Sequence, residues 1–144
     1  MTLAYFDTSV LVKNYVTETG SPRARELLAH YQFLSSFITP VELMSALMRR
    51  RSTGDLSAAE IPPILARAQE DRTYWKLLDV SQTVLNRAEE IVQSTRIRTL
   101  DALHVASLIN FQAISDISVS FVTADARQRD AARRVGLDVV WVGR

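Results

Sequence analysis

Leu3-Ala4-Tyr5-Phe6-Asp7-Thr8-Ser9-Val10-Leu11-Val12-Lys13 decides how the rest of the chain is read. Its first four residues are an apolar run with two aromatics, the pattern of a strand buried on both faces inside a parallel sheet. Asp7-Thr8-Ser9 follows at once, and Val10-Leu11-Val12 then resumes the apolar pattern. A carboxylate at the mouth of a buried strand is costly unless donors or a cation surround it. In open α/β sheets, the carboxyl ends of strands are also where ligands bind. All three residues of Asp7-Thr8-Ser9 cap helices well. The stretch therefore predicts either a helix cap or a functional acid at a strand end, and the remaining chain has to decide.

The 144 residues suit one domain, residues 1–144, with a substantial core. Hydrophobic residues make up 47% of the chain, which excludes a disordered protein. No apolar run approaches the roughly 18 residues of a membrane span. The N-terminus lacks the basic start, apolar stretch and small-residue cleavage site of a signal peptide. The expectation is a cytoplasmic protein with no membrane contact. There are no cysteines, so disulfides, thiolate metal sites and cysteine nucleophiles are excluded. The net charge of +1 implies no partner. Of 17 basic side chains only Lys13 and Lys76 are lysine, and the other 15 are arginine. Arginine's planar fork matches phosphate, which is compatible with nucleic acid; an arginine-rich codon bias gives the same count. The four glycines, at 20, 54, 136 and 143, cannot build a GxGxxG or Walker A loop.

Strand and helix signals alternate along the chain. Ser21-Pro22 has the cap-plus-proline form of a helix start, and Phe33-Leu34-Ser35-Ser36-Phe37 reads as a short strand. Thr39-Pro40 opens a helix that ends in Arg49-Arg50-Arg51. Ser57 opens a helical stretch through about residue 75, interrupted near Pro62-Pro63. Leu77-Leu78-Asp79-Val80 reads as a strand or an extended connection, and Ser81 caps the next helix. Residues 99–114 form a helix apolar on nearly every side, and therefore central. Val119-Ser120-Phe121-Val122-Thr123 is a strand, residues 125–135 a basic helix closed by Gly136, and residues 138–142 the last strand. The alternation predicts an α/β fold: a parallel sheet of four or five strands with helices on both faces, an α/β/α sandwich.

Four acids sit where polar faces do not explain them. Asp7 and Asp125 each follow an apolar strand. Glu42 lies in the first turn of an apolar helix, and Asp101 near the start of the most apolar one. Each also has a local explanation: Glu42 stands three residues after Thr39, the spacing of a capping box, Asp101 suits a helix dipole after a Thr99 cap, and Asp125 is a cap type. His104 reads as a packed or half-exposed histidine and not a ligand, and with His30 in an unrelated helix there is no histidine cluster. Taken together, two acids end two strands and two more open the helices expected beside those ends. Converging carboxylates repel one another unless a cation intervenes. An oxygen-only donor set favours Mg²⁺ or Mn²⁺ over zinc, and such a site suits phosphodiester hydrolysis.

Phe6-Asp7-Thr8-Ser9-Val10-Leu11-Val12-Lys13 resembles the opening of the PIN-domain nucleases, in particular the VapC toxins of toxin–antitoxin pairs. Pro40-Val41-Glu42-Leu43 resembles the family's internal glutamate segment, and the block from Thr99 through Asp101 to Ala106 its most distinctive one. Phe121-Val122-Thr123-Ala124-Asp125 resembles its last acidic motif. The resemblance spans essentially the whole chain in order. It implies that Asp7, Glu42, Asp101 and Asp125 are the catalytic and metal-binding quartet of a Mg²⁺- or Mn²⁺-dependent endoribonuclease. It also implies that Ser9, Thr8 and Thr123 support them. The partners it implies are RNA, a small antitoxin protein that neutralises the chain, and a second copy of the chain. Asp130, in a basic helix, reads as one half of a surface ion pair.

Two other functions fit the acids. One is a housekeeping PIN nuclease for RNA processing or DNA; the other is an acidic-pocket binding module without chemistry, against which the retention of all four acids argues. A phospho-acceptor module needs a lysine near a late strand end, and Lys13 and Lys76 stand elsewhere. RNA must cross the acids' negative field, so nearby cations have to offset it. Lys13, Arg49–Arg51, Arg96, Arg98 and Arg127 are the candidates. Arg96 and Arg98 lead into the Asp101 helix and are expected to flank the acids.

Overall fold

The computed structural model describes residues 1–143; Arg144, the last residue of the expected domain, lies outside them. Five parallel strands form one sheet in the order β3-β2-β1-β4-β5: β1 Leu3–Phe6, β2 Gln32–Ser36, β3 Lys76–Leu78, β4 Ser120–Thr123 and β5 Val139–Trp141. β1 is central, with Tyr5 opposite Leu34 on one side and Phe121 on the other. The chain builds outward from β1 through β2 to β3, then crosses back to lay β4 against the free edge of β1. The direction of winding thus reverses between β1 and β4, and that switch is where open α/β sheets place their ligands.

The reversal also decides which face each helix covers, because parallel crossovers are right-handed. α1 Thr8–Tyr15, α2 Ser21–His30, α3 Thr39–Thr53 and α4 Ile61–Asp71 join the first three strands and pack one face with Ala4, Phe6, Phe33 and Val122. α5 Gln82–Thr95, α6 Thr99–Ser115 and α7 Ala126–Arg134 pack the other with Tyr5, Leu34 and Phe121. Alternate residues of β1 therefore serve different cores, as a strand buried on both faces requires. Tyr5 stacks on Phe121 at 5.5 Å between ring centroids, and Phe6 on Phe33 at 5.4 Å. Among the described residues no helix is long and apolar enough to cross a membrane.

Several helix starts differ from the sequence expectation. Ser21 does not cap α2; Gly20 does, in the left-handed region at φ 89°. The Ser21 hydroxyl instead donates to the Val16 carbonyl and accepts from the Glu18 amide, folding the preceding turn onto the helix. Thr99 is the first residue of α6, and Arg98 precedes it without a side-chain cap. The 57–75 stretch divides into 3-10 turns at Ala58–Glu60 and Arg72–Tyr74 around α4, with Pro62 and Pro63 tolerated in the first turn of α4. Ser81 caps α5 as expected, accepting from the Val84 amide.

Gly20 gives a direct check of this packing. A Cβ there would lie 3.0 Å from the Val142 carbonyl oxygen in a left-handed backbone. Replacing glycine with alanine stabilises where the backbone suits alanine, but here Gly20→Ala should destabilise by about 1–2 kcal/mol, measured by denaturant unfolding. A gain in stability would show that this turn is not held as described.

Candidate active site

β1 ends at Phe6, and Asp7 caps α1 by accepting from the Val10 amide at 3.4 Å. The cap reading and the functional reading of Asp7 are therefore not exclusive. Asp7 is fully buried. Its Oδ1 accepts from the Ser9 hydroxyl at 2.6 Å, and its Oδ2 from the Thr123 hydroxyl at 2.7 Å. Thr123 ends β4, so this second bond ties together the two strands at the switch point. Burial pushes the Asp7 carboxyl up to about 6, against the pull of the His104 charge and the two hydroxyls. Ser9 and Thr123 extend the same network, accepting from the amides of Ala124 and Asp125 at 3.0 Å each.

Asp125 caps α7, with its Oδ1 accepting from the amides of Arg127 and Gln128. Asp101 lies in the first turn of α6, and its Oδ1 accepts from the Gln128 side-chain amide at 2.8 Å. Partial burial, then the nearby Asp125 charge, raises the Asp101 carboxyl above its ordinary value, and the Glu42 charge acts in the same sense. Glu42 does not form the capping box its spacing suggests. The Thr39 hydroxyl turns to Ser35 and the Ser36 amide, which frees the Glu42 side chain to reach across to α1 and α6. Its Oε1 receives the Thr8 hydroxyl at 2.6 Å and His104 Nε2 at 2.5 Å.

These side chains meet in one cleft of about 300 Å³ at the carboxyl ends of β1 and β4. Glu42, Asp101 and Asp125 line it with Thr8, Ser9 and Gln128. Asp7 does not line it and stands fully buried behind. Among the described residues, Glu42 Oε2, Asp101 Oδ2 and Asp125 Oδ2 have no hydrogen-bond partner. Lys13, Arg49 and Arg50 reach the same cleft, with Lys13 and Arg50 both drawn onto Glu18, at 3.2 and 2.9 Å. Arg96, Arg98 and Arg127 line a different pocket with Asp130, Ala131 and Arg134. The expectation that Arg96 and Arg98 flank the acids is thus corrected to a neighbouring site. Asp130 forms the surface ion pair expected of it, with Arg129.

Two participants are not among the expected site residues: His104, read from the sequence only as a packing residue, and Gln128. His104 is fully buried, and joins Glu42 at Nε2 and the Tyr5 hydroxyl at Nδ1, 2.7 Å away. A carboxylate only accepts, so Nε2 donates to Glu42, while Nδ1 and the Tyr5 hydroxyl form the second bond. Burial holds the Tyr5 hydroxyl well above its ordinary range, so it stays protonated. Gln128 is nearly buried in the cleft wall; its amide nitrogen serves Asp101 while its Oε1 has no partner. The available signal was spacing: His104 follows Asp101, and Gln128 follows Asp125, by three residues, which places each pair on one helix face.

Among the described residues, no three His, Cys, Asp or Glu side chains form a ready-made metal cage. The donor set still fits Mg²⁺, which keeps several waters and needs only one or two carboxylates. Gln128 Oε1 is a buried acceptor in want of a donor at the same cleft, and a hydrated ion supplies such donors.

A five-stranded parallel sheet with acids gathered at its switch point defines an α/β protein with an acidic cleft. The chain belongs to the PIN domain family, whose model matches residues 4–134. It is 31% identical over 144 residues to Ribonuclease VapC45 of Mycobacterium tuberculosis (strain CDC 1551 / Oshkosh) and equally to Ribonuclease VapC49 of strain ATCC 25618 / H37Rv. Each alignment covers 96% of this chain and 95% of the relative. Ribonuclease VapC46 of the latter strain is 30% identical, covering 97% and 98%. The fold is similar to a solved toxin–antitoxin complex from Klebsiella pneumoniae, with TM-score 0.64 and 18% identity over 95% of both chains.

The buried Asp7 carboxyl makes stability depend on pH in an unusual direction. Its folded value, about 6, lies above the ordinary 3.8, so the folded state holds the proton more tightly. That contribution, up to about 3 kcal/mol, is full below about pH 4 and lost as pH rises through about 6. In EDTA, Asp7→Asn should gain stability over the parent progressively between pH 4 and 7, followed by thermal melting. A stability difference that does not change with pH would contradict this assignment.

Proposed function

We propose that this chain is a Mg²⁺- or Mn²⁺-dependent endoribonuclease of the toxin kind, working in the cytoplasm and neutralised by a small antitoxin protein. The observation that carries the reading is the single cleft onto which Glu42, Asp101 and Asp125 each present a carboxylate oxygen with no hydrogen-bond partner among the described residues. The names of the ribonuclease relatives, aligned over almost the whole chain, support RNA as the substrate. When bound, the ion supplies Lewis-acid activation of water and of the scissile phosphate. Asp101, Asp125 and Glu42 would hold it. Asp7, held by Ser9 and Thr123, adds a fixed negative charge behind them. Thr8 and His104 fix the rotamer of Glu42, and Tyr5 fixes His104. Gln128 orients Asp101.

A toxin needs an off state. An antitoxin arm that places an Arg or Lys among these acids would satisfy the same oxygens that a cation satisfies. The fold's likeness to a chain of a toxin–antitoxin complex supports a protein partner. So does an exposed apolar row on α3: Val41, Met44 and Met48, with Phe37 just before it. The same row suits self-association into the homodimer that the sequence resemblance implies.

RNA cleavage should vanish in EDTA and return with Mg²⁺ or Mn²⁺. Asp101→Asn should reduce the rate at least about 100-fold, by about 2.7 kcal/mol of barrier, while the protein stays folded. Full activity in EDTA would overturn the reading, and preferential cleavage of DNA would favour the DNA-directed alternative.

A further inference from the structure

Beside the acidic cleft lies a second pocket, of about 350 Å³, with a different chemistry. One wall is a single face of α7: Arg127, Asp130, Ala131 and Arg134 stand at positions i, i+3, i+4 and i+7. The other wall is the link between α5 and α6. There Ile97 turns into the core, and its neighbours Arg96 and Arg98 remain at the surface. None of the guanidinium groups of Arg96, Arg98, Arg127 and Arg134 forms an ion pair or hydrogen bond with the described residues. Elsewhere, Lys13 and Arg50 are drawn onto Glu18 and Arg129 onto Asp130. Asp130, the one acid in the pocket, already has Arg129 as its partner.

The backbone adds an independent observation. Arg96 ends α5 in the left-handed region at φ 61°, where glycine or asparagine sits without strain and other side chains cost about 1–2 kcal/mol. The chain accepts that cost with an arginine directed to the pocket. The two sites also draw on the same elements, α6 with the link before it and α7. Arg98 immediately precedes α6, whose first turn carries Asp101. Arg127 adjoins Gln128, whose amide turns to Asp101.

We propose that the pocket formed by Arg96, Arg98, Arg127 and Arg134 is a phosphate-binding site that grips the backbone of the RNA strand next to the cleft. This rests on the ribonuclease reading above. Guanidinium groups bind phosphate oxygens in pairs, and unpaired ones do so with least rearrangement. The cleft itself repels a polyanion, so an adjacent cationic pocket supplies the attraction that draws the strand across the acids. Among the described residues no aromatic ring lines the pocket, so they offer no stacking platform for bases. It therefore reads backbone and not sequence.

The test uses the full chain carrying Asp101→Asn, so that RNA is bound and not cut, titrated with short oligo(U) and oligo(A) at several salt concentrations. Arg96→Ala with Arg134→Ala should weaken binding of both oligonucleotides about tenfold at low salt. It should also reduce the slope of log K against log salt by roughly 0.7 for each phosphate of a single strand that is no longer neutralised. Arg96→Lys with Arg134→Lys should keep most of the slope, because the charge remains. Arg134→Glu alone, a single exposed change, should weaken binding more than Arg134→Ala. Unchanged affinity and slope in the alanine pair, while the unmutated chain still cuts RNA, would overturn the pocket and leave the ribonuclease reading intact. A loss confined to one oligonucleotide would also overturn it, since that marks base readout. A chain that neither binds nor cuts RNA would overturn both.

Discussion

The hydrogen bond from Thr123 to Asp7 is the contact on which the rest of the structure depends. It joins the last residue of β4 to the acid that follows β1, across the point where the sheet reverses its winding. A carboxylate with no exposed surface survives there because Ser9 and Thr123 meet its two oxygens and the Val10 amide adds a weaker bond. Those donors stand in place only if β1 and β4 are neighbours and α1 starts at residue 8. Fold and site are therefore specified by the same few residues. Ser9 and Thr123 also accept from the amides of Ala124 and Asp125, so the position of the second strand-end acid follows from that of the first.

Electrostatics divides the surface around this contact into two neighbouring regions. In the cleft, Asp101 is held above its ordinary range by burial first and by the Asp125 charge second. At its rim, Glu18 draws in Lys13 and Arg50. Past the Asp101–Gln128 hydrogen bond, the sign changes to four arginines. Opposite charges in neighbouring pockets suit a polyanion that must be both attracted and cut.

Much of the fold was legible in the sequence because its signals are local. Residues 3–6 read as a strand buried on both faces, and Asp7 and Asp125 stand out as acids directly after such runs. What local patterns could not resolve is how a side chain chooses between near and distant partners. Thr39 and Glu42 have capping-box spacing, yet Thr39 turns back to Ser35, and Glu42 reaches His104, 62 residues away. His104 is hidden by the apolar character of its own helix, and its partner Tyr5 is 99 residues away. Arg96 and Arg98 were placed on the right link but beside the wrong pocket, because Ile97 enters the core and directs its neighbours toward α7.

The central claim is that the carboxylates of Glu42, Asp101 and Asp125, with Asp7 buried behind them, act as one centre for a hard cation. Thermal unfolding in a Mn²⁺ titration tests it without any substrate. An ion that binds only the folded state stabilises it by RT ln(1 + [Mn²⁺]/Kd), about 2.7 kcal/mol at 100 times Kd. The account predicts a saturable rise in melting temperature for the unmutated chain, lost in both Asp101→Asn and Asp125→Asn. A melting temperature that ignores Mn²⁺, or a rise that survives both substitutions unchanged, would contradict it.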